Sequence, residues 1–82
     1  MTTVGPDPNV LRSVAGYLVA DARGRLVGRI ERVPADAADR LTVRGGLPLR
    51  RRRVVPVSAI EEIDVATRVI ALRVEREALP AA

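Results

Sequence analysis

Asp21-Ala22-Arg23-Gly24-Arg25-Leu26-Val27-Gly28-Arg29-Ile30 is the stretch that decides the fold. Aspartate and glycine bracket a short polar turn, with Tyr17-Leu18-Val19 before it and the apolar-rich Leu26 to Ile30 after it. This turn chemistry joins two antiparallel strands into a hairpin. After the turn, Leu26, Gly28 and Ile30 alternate with Val27, Arg29 and Glu31, the period of two that gives a strand two faces. The first set is expected to face inward, with Gly28 allowing close approach or sharp coiling where a small barrel bends.

Further short strands follow on both sides of this hairpin. Val14 to Ala20 is an apolar run ended by Asp21, and Arg40-Leu41-Thr42-Val43-Arg44 alternates again before Gly45-Gly46 breaks it. Arg50 to Val57 reads as a fourth strand with Pro56 near its end, where a missing N–H is tolerated. Ser58 and Glu61 have the spacing of a capping box, so one short helical turn is expected there. Ile63-Asp64-Val65, a turn at 66–68 and Val69 to Glu75 form a second hairpin, with Ile70, Leu72 and Val74 inward. Pro34 to Asp39 reads as a loop. The expected fold is all-β: a small closed or partly open barrel of five to six mostly antiparallel strands. A chain of 82 residues is too short for two full sheets, whereas one coiled sheet removes its own edges.

The proline- and glycine-broken ends set the expected organisation: a flexible tail at 1–12, the barrel domain at 13–76 and a second flexible tail at 77–82. Such a core is small and gains from a staple or a partner subunit. Cysteine and histidine are both absent, which removes disulfides and the usual zinc ligands. Without histidine, Ser13 and Ser58 lack their usual activating base, and no glycine-rich loop opens a helix as a phosphate cradle requires. Glu61, Glu62 and Asp64 do not have the spacing of a calcium loop. No enzyme activity, metal or cofactor is therefore expected. The apolar runs are too short for a membrane-spanning helix or a signal peptide, and a cytoplasmic location is expected.

Two segments together resemble the PRC-barrel family, which includes the cytoplasmic part of the photosynthetic reaction-centre H subunit and the C-terminal half of the ribosome maturation factor. Asp21-x-x-Gly24-x-Leu26-x-Gly28-x-Ile30 is similar to the family's hairpin, Asp-x-x-Gly-x-x-x-Gly-x-Val. Val55-Pro56-Val57-Ser58-Ala59-Ile60 with Ile63-Asp64 is similar to its second segment. The resemblance covers about Val14 to Val74 and implies a compact β-barrel that works as an interaction module of a bacterial cytoplasm. It carries over no catalytic residues. The maturation factor's extra N-terminal barrel and the H subunit's membrane helix have no counterpart here, so a free-standing member is expected.

The charge is unevenly spread. All fourteen basic residues are arginine, and residues 40–53 carry six of them with no acid, while the net charge is +4. Arginine makes bidentate contacts with carboxylates and with phosphates. Arg44, Arg50, Arg51, Arg52 and Arg53 are the candidate partner-binding residues. Another protein is the expected partner, with RNA or the ribosome as the alternative and a membrane surface as a third. Aromatic residues are 1% of the chain, leaving Tyr17 alone as a platform for base stacking. Val19, Val27, Val54 and Val69 fall on the faces assigned outward, and so many aliphatics outside a small barrel predict a homodimer contact through them.

Overall fold

The computed structural model describes residues 3–31, 33, 39–45 and 51–81. Arg50, the loop at 34–38, Gly46 and the expected start of the fourth strand lie outside the described residues. The chain runs β1 (Thr3–Val4), a one-turn helix α1 (Pro8–Leu11), β2 (Leu18–Ala20), β3 (Leu26–Ile30), β4 (Arg40–Arg44) and β5 (Arg52–Pro56). A 3-10 turn at Val57–Ala59 leads to β6 (Ile60–Asp64), β7 (Val69–Leu72) and a second 3-10 turn at Arg76–Ala78.

The seven strands form one sheet in the order β1-β6-β7-β2-β3-β4-β5. Its pairs are antiparallel except β2 with β7, where Leu18, Val19 and Ala20 pair in parallel with Val69, Ile70 and Ala71. β5 passes directly into β6 through the first 3-10 turn, although the two strands stand near opposite ends of the sheet. Chain continuity across so short a turn requires the sheet to curl back on itself. The result is an all-β, partly open barrel. Its β5 edge is covered in part by the C-terminus: the Val54 N–H donates to the Pro80 carbonyl at 2.9 Å, and Arg53 bridges to Ala81.

Aliphatic side chains fill the interior, with Val14, Val19, Val43, Val55, Ile60, Ile63 and Ile70 fully buried. In β4, Leu41 and Val43 point inward while Arg40 and Arg44 are exposed, as alternation predicts. In β7, Ile70 and Leu72 are buried, and Val74 packs against the same cluster.

The hairpin β2–β3 departs from the expected faces. Val19 pairs with Gly28 but Ala20 pairs with Leu26, so Val27 is an extra residue in a β-bulge. The bulge breaks strict alternation: Val27 is 6% exposed and Leu26 57% exposed, the reverse of the expectation, while Gly28 and Ile30 do face inward. Val19 is likewise buried. Val19 and Val27 are core residues and cannot form the predicted dimer contact, whereas Val54 and Val69 are half-buried.

The expected tails also carry structure. Asp7 caps α1 by accepting from the Asn9 N–H at 2.8 Å, and Pro8 occupies the first turn, where no N–H is needed. A proline pair read as a break thus starts a helix, which delivers Leu11 to the core at 3% exposure. Thr3 and Val4 pair with Asp64 and Ile63, and Leu79 is buried at the other end of the chain. The capping box does not form: Ser58 lies inside the 3-10 turn, Pro56 precedes it, and Glu61 is an exposed residue of β6.

Candidate functional site

The β2–β3 turn builds the site from a distance. Asp21 is 4% exposed, and its Oδ1 accepts from the amides of Arg23 at 3.0 Å and Arg25 at 2.9 Å, closing the turn around Gly24. Its Oδ2 accepts from the Arg25 Nε at 3.0 Å and, across the molecule, from the Arg76 amide at 3.0 Å. Burial alone would push this carboxyl up. The hydrogen bonds from the Arg76, Arg25 and Arg23 amides and the Arg25 side chain overcome that effect and hold it well below the usual carboxylate range. Arg25 also pairs with Glu77, which raises the guanidinium's pKa and lowers that of the carboxyl. The Arg76 Nη1 donates to the Leu26 carbonyl at 3.3 Å. One buried aspartate therefore fixes the second 3-10 turn against the hairpin and sets where Arg76 and Glu77 stand.

Those two residues and the start of β5 line one cleft of about 500 Å³. Arg51, Arg52, Arg53, Arg76 and Glu77 line it together with the apolar Leu79 and Ala81. Four arginines against one glutamate make it an anion-attracting cleft. The arginines are not equivalent. Arg44 and Arg52 stand directly opposite on β4 and β5, an unfavourable like-charge pair that the Glu31 carboxylate bridges at 3.0 and 3.1 Å. Arg76 lies 3.6 Å from Glu77. Among the described residues Arg51 and Arg53 have no ion-pair partner; Arg51 is exposed and Arg53 half-buried.

The predicted arginine cluster is thus divided. Arg51, Arg52 and Arg53 share the cleft, Arg44 belongs to the Glu31 bridge on the outer face, and Arg50 lies outside the described residues. Sequence reasoning missed Arg76, Glu77 and Leu79, which are far from the arginine run along the chain. The signal was Asp21: a buried aspartate at a turn has more acceptor capacity than the turn consumes. A second hollow, of about 720 Å³, lies between Val4 and Val10, but its one acid, Asp7, is already engaged as the cap of α1.

Among the described residues no group of three or more histidine, cysteine or carboxylate side chains is placed to hold a metal ion, and no helix is long and apolar enough to cross a membrane. Comparison with family models, with curated proteins and with solved structures returns no match.

Proposed function

We propose that the chain is a non-enzymatic, self-associating interaction module of the PRC-barrel kind, whose arginine-lined cleft takes an acidic segment of another protein. The observation that carries this reading is the pair Arg51 and Arg53, which line the cleft with Arg76 and have no carboxylate partner among the described residues. Guanidinium groups take carboxylates in bidentate, charge-assisted hydrogen bonds. Exposed Ala81, with the edge of the largely buried Leu79, supplies apolar surface for a peptide's own side chains, which a purely electrostatic phosphate site does not need. Tyr17, the chain's one aromatic residue, is half-buried and packed against the core, so it gives bases no stacking platform.

The test is a titration by fluorescence anisotropy of a glutamate-rich peptide and of single-stranded RNA at low salt. Arg51→Ala with Arg53→Ala is expected to weaken the peptide at least roughly tenfold, the effect of about 1.4 kcal/mol. Binding should fall further as salt screens the charges. RNA binding tighter than peptide binding, with the same dependence on these arginines, would replace this reading by the nucleic-acid one.

A further inference from the structure

Residues paired across neighbouring strands share a face of the sheet. One outward row therefore crosses all seven strands as Thr3, Asp64, Val69, Leu18, Arg29, Arg44 and Arg52. The adjacent row runs Glu62, Ala71, Ala20 and Leu26 over β6, β7, β2 and β3. The middle of this surface is apolar: Leu18, Val69, Ala20 and Ala71 are half-buried, and Leu26 is 57% exposed. Its flanks have opposite charge, with Glu62 and Asp64 on the β6 side and Arg29, then Arg44, on the β3 side.

We infer that this outer face docks a second copy of the chain about a two-fold axis parallel to the strands, between β7 and β2. The inference rests on the self-associating reading and assigns its surface. Such an axis reverses the order of the strands and keeps position along them. β7 then lies over β2 of the other copy and β6 over β3, so Val69 meets Leu18, Ala71 meets Ala20, Asp64 meets Arg29, and Glu62 lies over Leu26, one row along and diagonal to Arg29. Each contact occurs twice, as an isologous interface requires. An axis perpendicular to the strands would set β6 on β6 and acid on acid, so the charge pattern selects the first. Small residues at Ala20 and Ala71 let the two sheets approach to the ordinary spacing of about 10 Å.

Charge reversal tests this arrangement in the intact chain. Asp64 is left alone because its Oδ1 accepts from the Ala66 and Thr67 amides in the β6–β7 turn. Arg29→Glu sets an acid opposite Asp64 and diagonal to Glu62, Glu62→Arg sets a cation diagonal to Arg29, and each is expected to weaken the dimer roughly 10- to 100-fold by sedimentation equilibrium. In an equimolar mixture the reversed charges at positions 62 and 29 of opposite copies attract along the diagonal, so a heterodimer is expected to form in preference to either homodimer, short of wild-type strength because one Asp64 still faces a reversed position 29. Leu26→Asp, at an exposed position, should also give monomer while far-UV circular dichroism remains unchanged. A wild-type chain that stays monomeric into the high micromolar range overturns self-association itself. A dimer that withstands all three substitutions, or variants that fail to rescue one another when mixed, overturns this face while leaving self-association standing.

Discussion

Replacing Gly28 by alanine puts a methyl group into space that β4 already occupies. A Cβ at this position would lie 2.1 Å from the Arg44 carbonyl oxygen, 2.6 Å from its carbon and 2.9 Å from the Gly45 Cα. All three are backbone atoms, so no side-chain rotation relieves the clash. Relief requires β3 to move away from β4, against the pairing of Arg29 with Arg44 and Ile30 with Val43. The backbone at Gly28 also has φ +156°, a conformation unfavourable for a side chain. Overpacking costs about 1–3 kcal/mol and such backbone strain about 1–3 kcal/mol, so Gly28→Ala is expected to destabilise by roughly 3–4 kcal/mol. For a domain of this size, that corresponds to a fall in Tm of roughly 15–25 °C. Two other glycines separate the contributions. Gly24 has φ +78° with open space around it, so Gly24→Ala reports strain alone, about 1 kcal/mol. Gly5 has neither positive φ nor a neighbour within 4 Å, so Gly5→Ala should be nearly neutral. Urea unfolding followed by circular dichroism ranks the three. If Gly28→Ala costs no more than Gly24→Ala, the close approach of β3 to β4 is wrong, and with it the bulge that turns Val27 inward.

The bulge makes its own prediction: Val27→Asp, which buries a charge in the core, should abolish the cooperative unfolding transition, whereas Leu26→Asp should keep it. Asp21 links stability to pH. Its carboxyl is held below its ordinary value in the folded chain, so its contribution is complete above the unfolded pKa of about 3.9 and is lost as pH falls below that. Asp21→Asn should lower Tm at neutral pH and flatten the acid limb of the Tm–pH profile; an unchanged acid limb would remove Asp21 from the account. Arg68 has φ +59°, the left-handed conformation, in the turn between β6 and β7. Arg68→Val is expected to destabilise by about 1–2 kcal/mol more than Arg68→Gly, read from the same urea transitions.

Local chemistry was legible in the sequence and long-range partnership was not. The hairpin turn at Asp21 to Gly24 and the alternation of Arg40 to Arg44 were readable because their patterns are complete within a few residues. The bulge at Val27 was hidden because one extra residue leaves composition unchanged while reversing the faces on one side of it. Gly5 to Pro8 read as an interruption, yet α1 draws its order from the Asp7 cap and from Leu11 in the core, a contact no local pattern states. The parallel pairing of β2 with β7 joins the two hairpins, and neither hairpin encodes it alone. The site divides the same way. Charge density pointed to Arg51, Arg52 and Arg53, but the place of Arg76 and Glu77 in the cleft depends on a hydrogen bond between Asp21 and a turn far along the chain.

The central claim is that the arginine-lined cleft is where this protein meets its partner. Backbone amide shifts of the isotope-labelled chain, followed while a glutamate-rich peptide is added at low salt, test it most directly. The account predicts that the largest changes fall on Arg51, Arg52, Arg53, Arg76, Leu79 and Ala81, and disappear in the Arg51→Ala, Arg53→Ala chain. Saturable shifts centred elsewhere, or none at all, would contradict it.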